Sequence, residues 1–159
     1  MEPKENKPKE ILKNNEKVLR TKCDIFTPED EDCIEELKKS FFYKNGRYLG
    51  VGIAANQIGI TKRVCLITES KKEEDLFVMI NPKIVRHGKQ VVAMYESCLS
   101  KPKQIEKMNR YRVIDVEYFD ENWNPVAKTF KSFIARIVQH ELNHLDGLDC
   151  LKNILENNE

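Results

Sequence analysis

Apolar positions recur at helical spacing on either side of a middle region in which they gather into short strand-like runs. Residues 1–10 are almost wholly polar or charged and carry two prolines, which predicts a flexible N-terminal segment ahead of a single domain over 11–159. Val18-Leu19 suggests a short extended piece. Thr27-Pro28-Glu29-Asp30 places a capping residue before a proline and first-turn acids. Cys33, Ile34, Leu37, Phe41 and Phe42 follow at helical spacing and Gly46 supplies a stop, so a helix is expected over 28–44. Runs at 63–68, 77–85 and 90–95 predict strands, separated by polar turns such as 70–75. Residues 112–119 and 126–130 flank Asp120-Glu121-Asn122-Trp123-Asn124-Pro125, which reads as a hairpin turn. Over 131–144, Phe133, Ile134, Ile137 and Val138 form an apolar stripe, as on a half-buried helix. Strands in the middle with helices on either side imply an α+β fold built on antiparallel sheet.

A chain of 159 residues is about one domain's worth and can bury a hydrophobic core. With 33% charged residues, 40% apolar residues and a formal net charge of +1, neither a nucleic-acid-binding surface nor an acidic tail is advertised. No run of about 18 apolar residues exists and the N-terminus lacks the apolar centre of a signal peptide, so the expectation is a soluble, cytoplasmic chain without membrane contact. Five cysteines without a CxxC pair argue for a reducing compartment and against a disulfide framework.

The chemistry concentrates in Gln139-His140-Glu141-Leu142-Asn143-His144. On a helix, His140 and His144 project from one face and can share a metal ion, with Glu141 placed to take a proton from water. The competing reading is a surface helix with two histidines, but the apolar stripe argues for burial, and buried imidazoles need polar partners. A catalytic site usually takes three protein ligands, so a third must come from elsewhere. Downstream, the carboxylates are Asp146, Asp149, Glu156 and Glu159, and Asp146 faces away on a helix. Upstream, His87 sits in an expected turn, and Cys98 ends a strand-like run among polar neighbours. Cys23, Cys33, Cys65 and Cys150 lie in apolar contexts, where a buried thiol is the ordinary reading. Gly50-Val51-Gly52-Ile53-Ala54-Ala55-Asn56-Gln57-Ile58-Gly59 fails as a phosphate loop, because it follows a helix and lacks the Lys-Ser/Thr pair. Its glycines are left with close approach to a ligand or to another segment.

Three separated stretches, GVGIAANQ at 50–57, ESCLS at 96–100 and QHELNH at 139–144, together resemble the peptide deformylases over most of the chain. The resemblance implies Cys98, His140 and His144 as metal ligands and Glu141 as general acid and base. It implies Gln57, through its side-chain amide, and the backbone N–H of Leu99 as donors to the formyl oxygen. The reaction implied is hydrolysis of the N-formyl group from the N-terminal formylmethionine of newly made polypeptides, releasing formate. Gly50, Val51, Gly52 and Ser97 would face an extended N-formylmethionyl peptide, and Phe133 and Ile137 would receive the methionine side chain. The fold expected is then α+β, with antiparallel sheets packed around a central metal-binding helix and an N-terminal helix.

The chain departs from the family pattern at Ser97, where glycine is usual, and at Asn143, where aspartate is usual. Its short tail resembles phage or viral versions. The family's acid and arginine suggest that Glu96 pairs with Arg110 to brace the cysteine loop. Ligand softness favours zinc, iron, cobalt or nickel, and the resemblance points to ferrous iron in the cell, in a monomer that contacts ribosomes transiently. Two other readings are a zinc endopeptidase built on the same HExxH and a silent deformylase-like protein that binds nascent peptides or ribosomes.

Overall fold

The computed structural model describes residues 7–14 and 16–155. The expected flexible segment lies outside the described residues over 1–6, while 7–10 are exposed and without regular structure. The tail carboxylates Glu156 and Glu159 also lie outside them.

Helix α1 (Asp32–Phe41) is preceded by a single 3-10 turn at Pro28–Asp30, whose Asp30 carboxylate accepts from the Thr27 backbone N–H at 2.8 Å. The helix is shorter than the periodicity predicts. Phe42 turns extended, and strands β1 (Phe42–Lys44) and β2 (Arg47–Tyr48) close a hairpin over Asn45-Gly46, with φ of 51° and 68°. Gly46 is therefore a hairpin residue rather than a helix stop, because an Asn-Gly pair adopts the left-handed turn that a short hairpin needs. Val18-Leu19, expected to be extended, lies in a 3-10 turn at Lys17–Arg20, with Leu19 buried.

The main sheet holds β3 (Gly52–Ala54), β4 (Val64–Ile67), β5 (Phe77–His87), β8 (Val113–Phe119) and β9 (Pro125–Lys131) in the order β3-β4-β5-β8-β9, all antiparallel. Period-two alternation explains its two covered faces. Cys65, Ile67 and Met79 join Ile114, Val116 and the α2 residues Ala135, Val138 and Leu142 in one cluster. Val64, Leu66, Val78 and Ile80 join Leu37 and Phe41 of α1 in the other. Helix α2 (Ser132–Leu145) thus covers one face, and α1 the other.

Strands β6 (Val91–Cys98) and β7 (Lys101–Tyr111) form a separate two-stranded sheet. β7 has no counterpart among the expected strands, because its exposed, lysine-rich run carries no alternation. β6 runs three residues past the expected end, to Cys98 itself. His87, expected in a turn, ends β5 and stacks on Tyr111 at 3.7 Å between ring centroids.

After α2 the chain reverses at Gly147 (φ +71°), whose N–H donates to His144 O at 2.9 Å. A Cβ at Gly147 would stand 2.8 Å from backbone atoms of Arg20, Thr21 and Lys22. Gly147→Ala is therefore expected to lower stability by at least ~2 kcal/mol in denaturant unfolding, from left-handed strain plus overpacking. Gly46→Ala, with open space around it, is expected to cost only about 1 kcal/mol.

Candidate metal centre and substrate cavity

Helix α2 buries an unusual set of polar side chains: Arg136, Gln139, His140, Glu141 and His144. His140 and His144 lie one turn apart, with ring centroids 5.2 Å apart and ring planes tilted by 59°. The β6–β7 turn carries Cys98 against them, and its Sγ lies 3.2 Å from His144 Nε2. Cys98, His140 and His144 are thus brought together from segments more than 40 residues apart. Two donors on one tetrahedral ion stand roughly 3.5 Å apart, so this spacing and the donor chemistry fit a divalent metal.

Glu96 organises the cluster. Its carboxylate accepts from Arg110 Nε at 3.1 Å and Nη2 at 3.0 Å, and from Arg136 Nη2 at 2.9 Å. It also lies 3.0 Å from His140 Nδ1. With Nδ1 held by Glu96, the Nε2 of His140 is the nitrogen left for an ion. Arg110 is further bonded to the Asn143 side-chain oxygen, so the amide keeps an acceptor there. Arg136, at i−4 from His140 on the same helix face, was legible by spacing but reads in sequence as an ordinary surface charge.

A cavity of about 560 Å³ opens on this cluster. Gly50, Val51, Gly52, Gln57, Ser97 and Leu99 line one part of it. Cys98, His140, Glu141, Phe133 and Ile137 line another part, and His144 is not among the lining residues. Phe133 is 45% exposed at the rim, and Ile137 is buried between cavity and core. A Cβ at Gly52 would meet Glu141 Cγ at 2.9 Å, so this glycine serves close approach to another segment. Ser97 is not among the residues with positive φ, so its side chain sits there without strain. The Gln57 Oε1 accepts from Ala54 N at 2.9 Å, while Nε2 donates to Ser100 Oγ at 3.0 Å and stands 3.8 Å from Cys98 Sγ.

Electrostatics follow from this packing. Burial alone would raise the Glu96 carboxyl, but the bonds from His140 and Arg110 outweigh it and hold it at about 2. Burial would lower His140, yet its contacts with Cys98 and Glu96 raise it to about 10. Glu141 is pushed up to about 7 by burial, against the pull of His140 and His144, and its Oε2 is buried with no hydrogen-bond partner among the described residues. The Cys98 thiol is pulled far down by hydrogen bonding from Cys150 and, against burial, from the two histidines. Cys150 itself, expected to be a plain buried thiol, lies in the same donor group. Its position follows from the chain reversal at Gly147, which no local pattern signals.

The polypeptide deformylase family model matches residues 8–158. The peptide deformylase of Synechocystis sp. is 34% identical over 143 residues, covering 89% of this chain and 76% of the relative. The crystal structure of peptide deformylase from Thermotoga maritima superposes with a TM-score of 0.79 at 28% identity, covering 89% of this chain and 93% of that one. A class I type b peptide deformylase from Acinetobacter baumannii, solved with Met-Ala-Ser bound, superposes with a TM-score of 0.76 at 27% identity, covering 87% and 92%.

The low value of Glu96 makes stability depend on pH. Its folded value of about 2 lies under the ordinary 4.5, so the stabilisation is fully present above pH 4.5 and is lost as pH falls toward 2. Glu96→Gln is expected to be on the order of 3 kcal/mol less stable than the parent at pH 7. The gap should close on acidification below pH 4.5, as read by denaturant unfolding at a series of pH values.

Proposed function

The chain belongs to the peptide deformylase family, metal-dependent hydrolases that remove the N-formyl group from newly made polypeptides, and we propose how its own residues divide that work. The observation that carries the assignment is Cys98, His140 and His144 gathered at a cavity beside the unpartnered carboxylate oxygen of Glu141. Cys98, His140 and His144 hold the divalent ion. When bound, the ion would supply a Lewis acid that makes water nucleophilic near neutral pH.

Glu141 takes the proton of the attacking water at its carboxylate and returns it to the departing amine, releasing formate. Burial supports that role by bringing the group near the pH at which it must both accept and donate. The Gln57 Nε2 and the backbone N–H of Leu99 donate to the formyl oxygen as charge develops there, each worth on the order of 3 kcal/mol. The contact of Gln57 Oε1 with Ala54 N supports this by leaving the amide NH2 turned toward Cys98 and Ser100.

The peptide lies extended between two strand edges. β3 is an edge strand of the main sheet and β6 pairs with β7, so Gly52 with Gly50 and Val51 before it on one side, and Ser97 on the other, would flank a strand-like ligand, although the Val51 carbonyl already accepts from Thr68 N at 2.8 Å. Such binding uses main-chain groups, which suits substrates of differing sequence. The methionine side chain enters between Phe133 and Ile137, a reading supported by the half-exposed ring of Phe133 at the cavity rim.

Residues 11–159 act as one deformylase-like domain. The donor set suits ferrous iron in the cell, with zinc, nickel or cobalt as substitutes. No helix among the described residues is long and apolar enough to cross a membrane. The setting proposed is the cytoplasm, where the chain works as a monomer in transient contact with ribosomes, since its substrates are chains leaving them.

Formate release from formyl-Met peptides by the metal-loaded chain tests the assignment. Glu141→Gln is expected to keep its metal and lose about 10²–10⁴-fold in turnover; retained turnover would remove Glu141 from the mechanism. The base acts as a carboxylate, so kcat should fall as pH drops through its pKa. A nearby dication favours the carboxylate form and moves that acid limb below the value of about 7 set by burial. An acid limb above pH 7 would contradict the role.

A further inference from the structure

Cys150 lies beyond the end of α2 and is 1% exposed. Its sulfur falls in one group with the donor atoms of Cys98, His140 and His144, all within 4.8 Å of one another. The reaction proposed above leaves it unused. Its backbone is anchored, since its carbonyl accepts a 2.9 Å hydrogen bond from Arg110 Nη2. The same guanidinium grips Glu96, so the segment carrying Cys150 and the strand carrying Cys98 share an anchor. Cys150 is absent from the lining of the substrate cavity and lines, with His144, a separate cavity of about 60 Å³. It therefore reaches the donor group from another side and leaves the substrate path open.

We propose that Cys150 is a fourth protein donor to the ion, so that this chain holds it through two sulfurs and two imidazole nitrogens. The proposal rests on the assignment of Cys98, His140 and His144 as ligands. Each thiol gives up its proton to solvent on binding. Four protein donors fill a tetrahedral set, so the water that the proposed hydrolysis needs would displace Cys150 or enter as a fifth ligand.

X-ray absorption of the reduced, zinc-loaded full chain counts the sulfurs without any substitution. Two are expected. A single sulfur would overturn the proposal while leaving Cys98 in place, and none would overturn the underlying ligand assignment as well. In a second arm, Cys98→Ser and Cys150→Ser should each lower the count by one. Loss of an outer partner of a metal ligand already costs about 10–100-fold in affinity, so Cys150→Ser should bind zinc at least ~10-fold more weakly in competition with a chelator. A folded Cys150→Ser protein with unchanged sulfur count and affinity would overturn the proposal.

Discussion

The structure depends most on a buried carboxylate. Glu96 stands on the two-stranded β6–β7 sheet, which among the described residues makes no ladder with the main sheet. Its carboxylate joins Arg110 of that small sheet to Arg136 and His140 of α2. A buried ion pair is weak evidence for net stability, since desolvation offsets most of the Coulombic gain. What it does supply is register: Cys98, two residues on, must meet His140 and His144, and a slip of one residue in β6 would turn its side chain to the other face.

Backbone contacts reinforce the same junction. Arg136 donates to Val92 O at 2.8 Å and Met108 O at 2.7 Å, so one helix side chain grips both strands of the hairpin. Gln139 exchanges hydrogen bonds with the backbone of Tyr111 at the end of β7, at 2.9 and 2.8 Å, and Asn56 Nδ2 donates to His144 O. Apart from Asn56 Oδ1 and Glu141 Oε2, these polar groups are satisfied by partners that also set distances. That is how a helix with so many buried polar residues pays for its burial.

Much of this was legible in the amino-acid sequence, and the failures have local causes. The α2 helix and its paired imidazoles follow from a 3.6-residue period, and four strands of the main sheet, β4, β5, β8 and β9, follow from their apolar runs, whereas β3 lay hidden in the small-residue run around Gly52. β7 was illegible because Lys101–Tyr111 is exposed over much of its length, leaving no apolar rhythm to read. The end of α1 was misplaced because Phe41 and Phe42 continue the helical spacing, although the first is buried in the core and the second is 48% exposed on a strand. The Asn45-Gly46 turn, a recognised hairpin signal, lay unused beside them. At the site, residue types and order pointed to Cys98, whereas Arg136 looked like solvent-facing charge until its carboxylate partner came into view from another strand.

Cys150 marks the limit of local reasoning most clearly. Its neighbours Leu148 and Leu151 make it look like filler in an apolar tail, and no spacing relates it to Cys98, 52 positions earlier. Only the reversal at Gly147 and the Arg110 bond to the Cys150 carbonyl bring it to the imidazoles. The same two features explain why the tail can reach there without disturbing the substrate side: a left-handed glycine turns the chain behind α2, and the guanidinium holds its backbone while the sulfur joins the donor atoms of Cys98, His140 and His144. A buried thiol so placed lies within 4.8 Å of the Cys98 sulfur and of two imidazole nitrogens, a set of donors that one shared cation would satisfy. The chemistry of the tail is thereby tied to the chemistry of the helix.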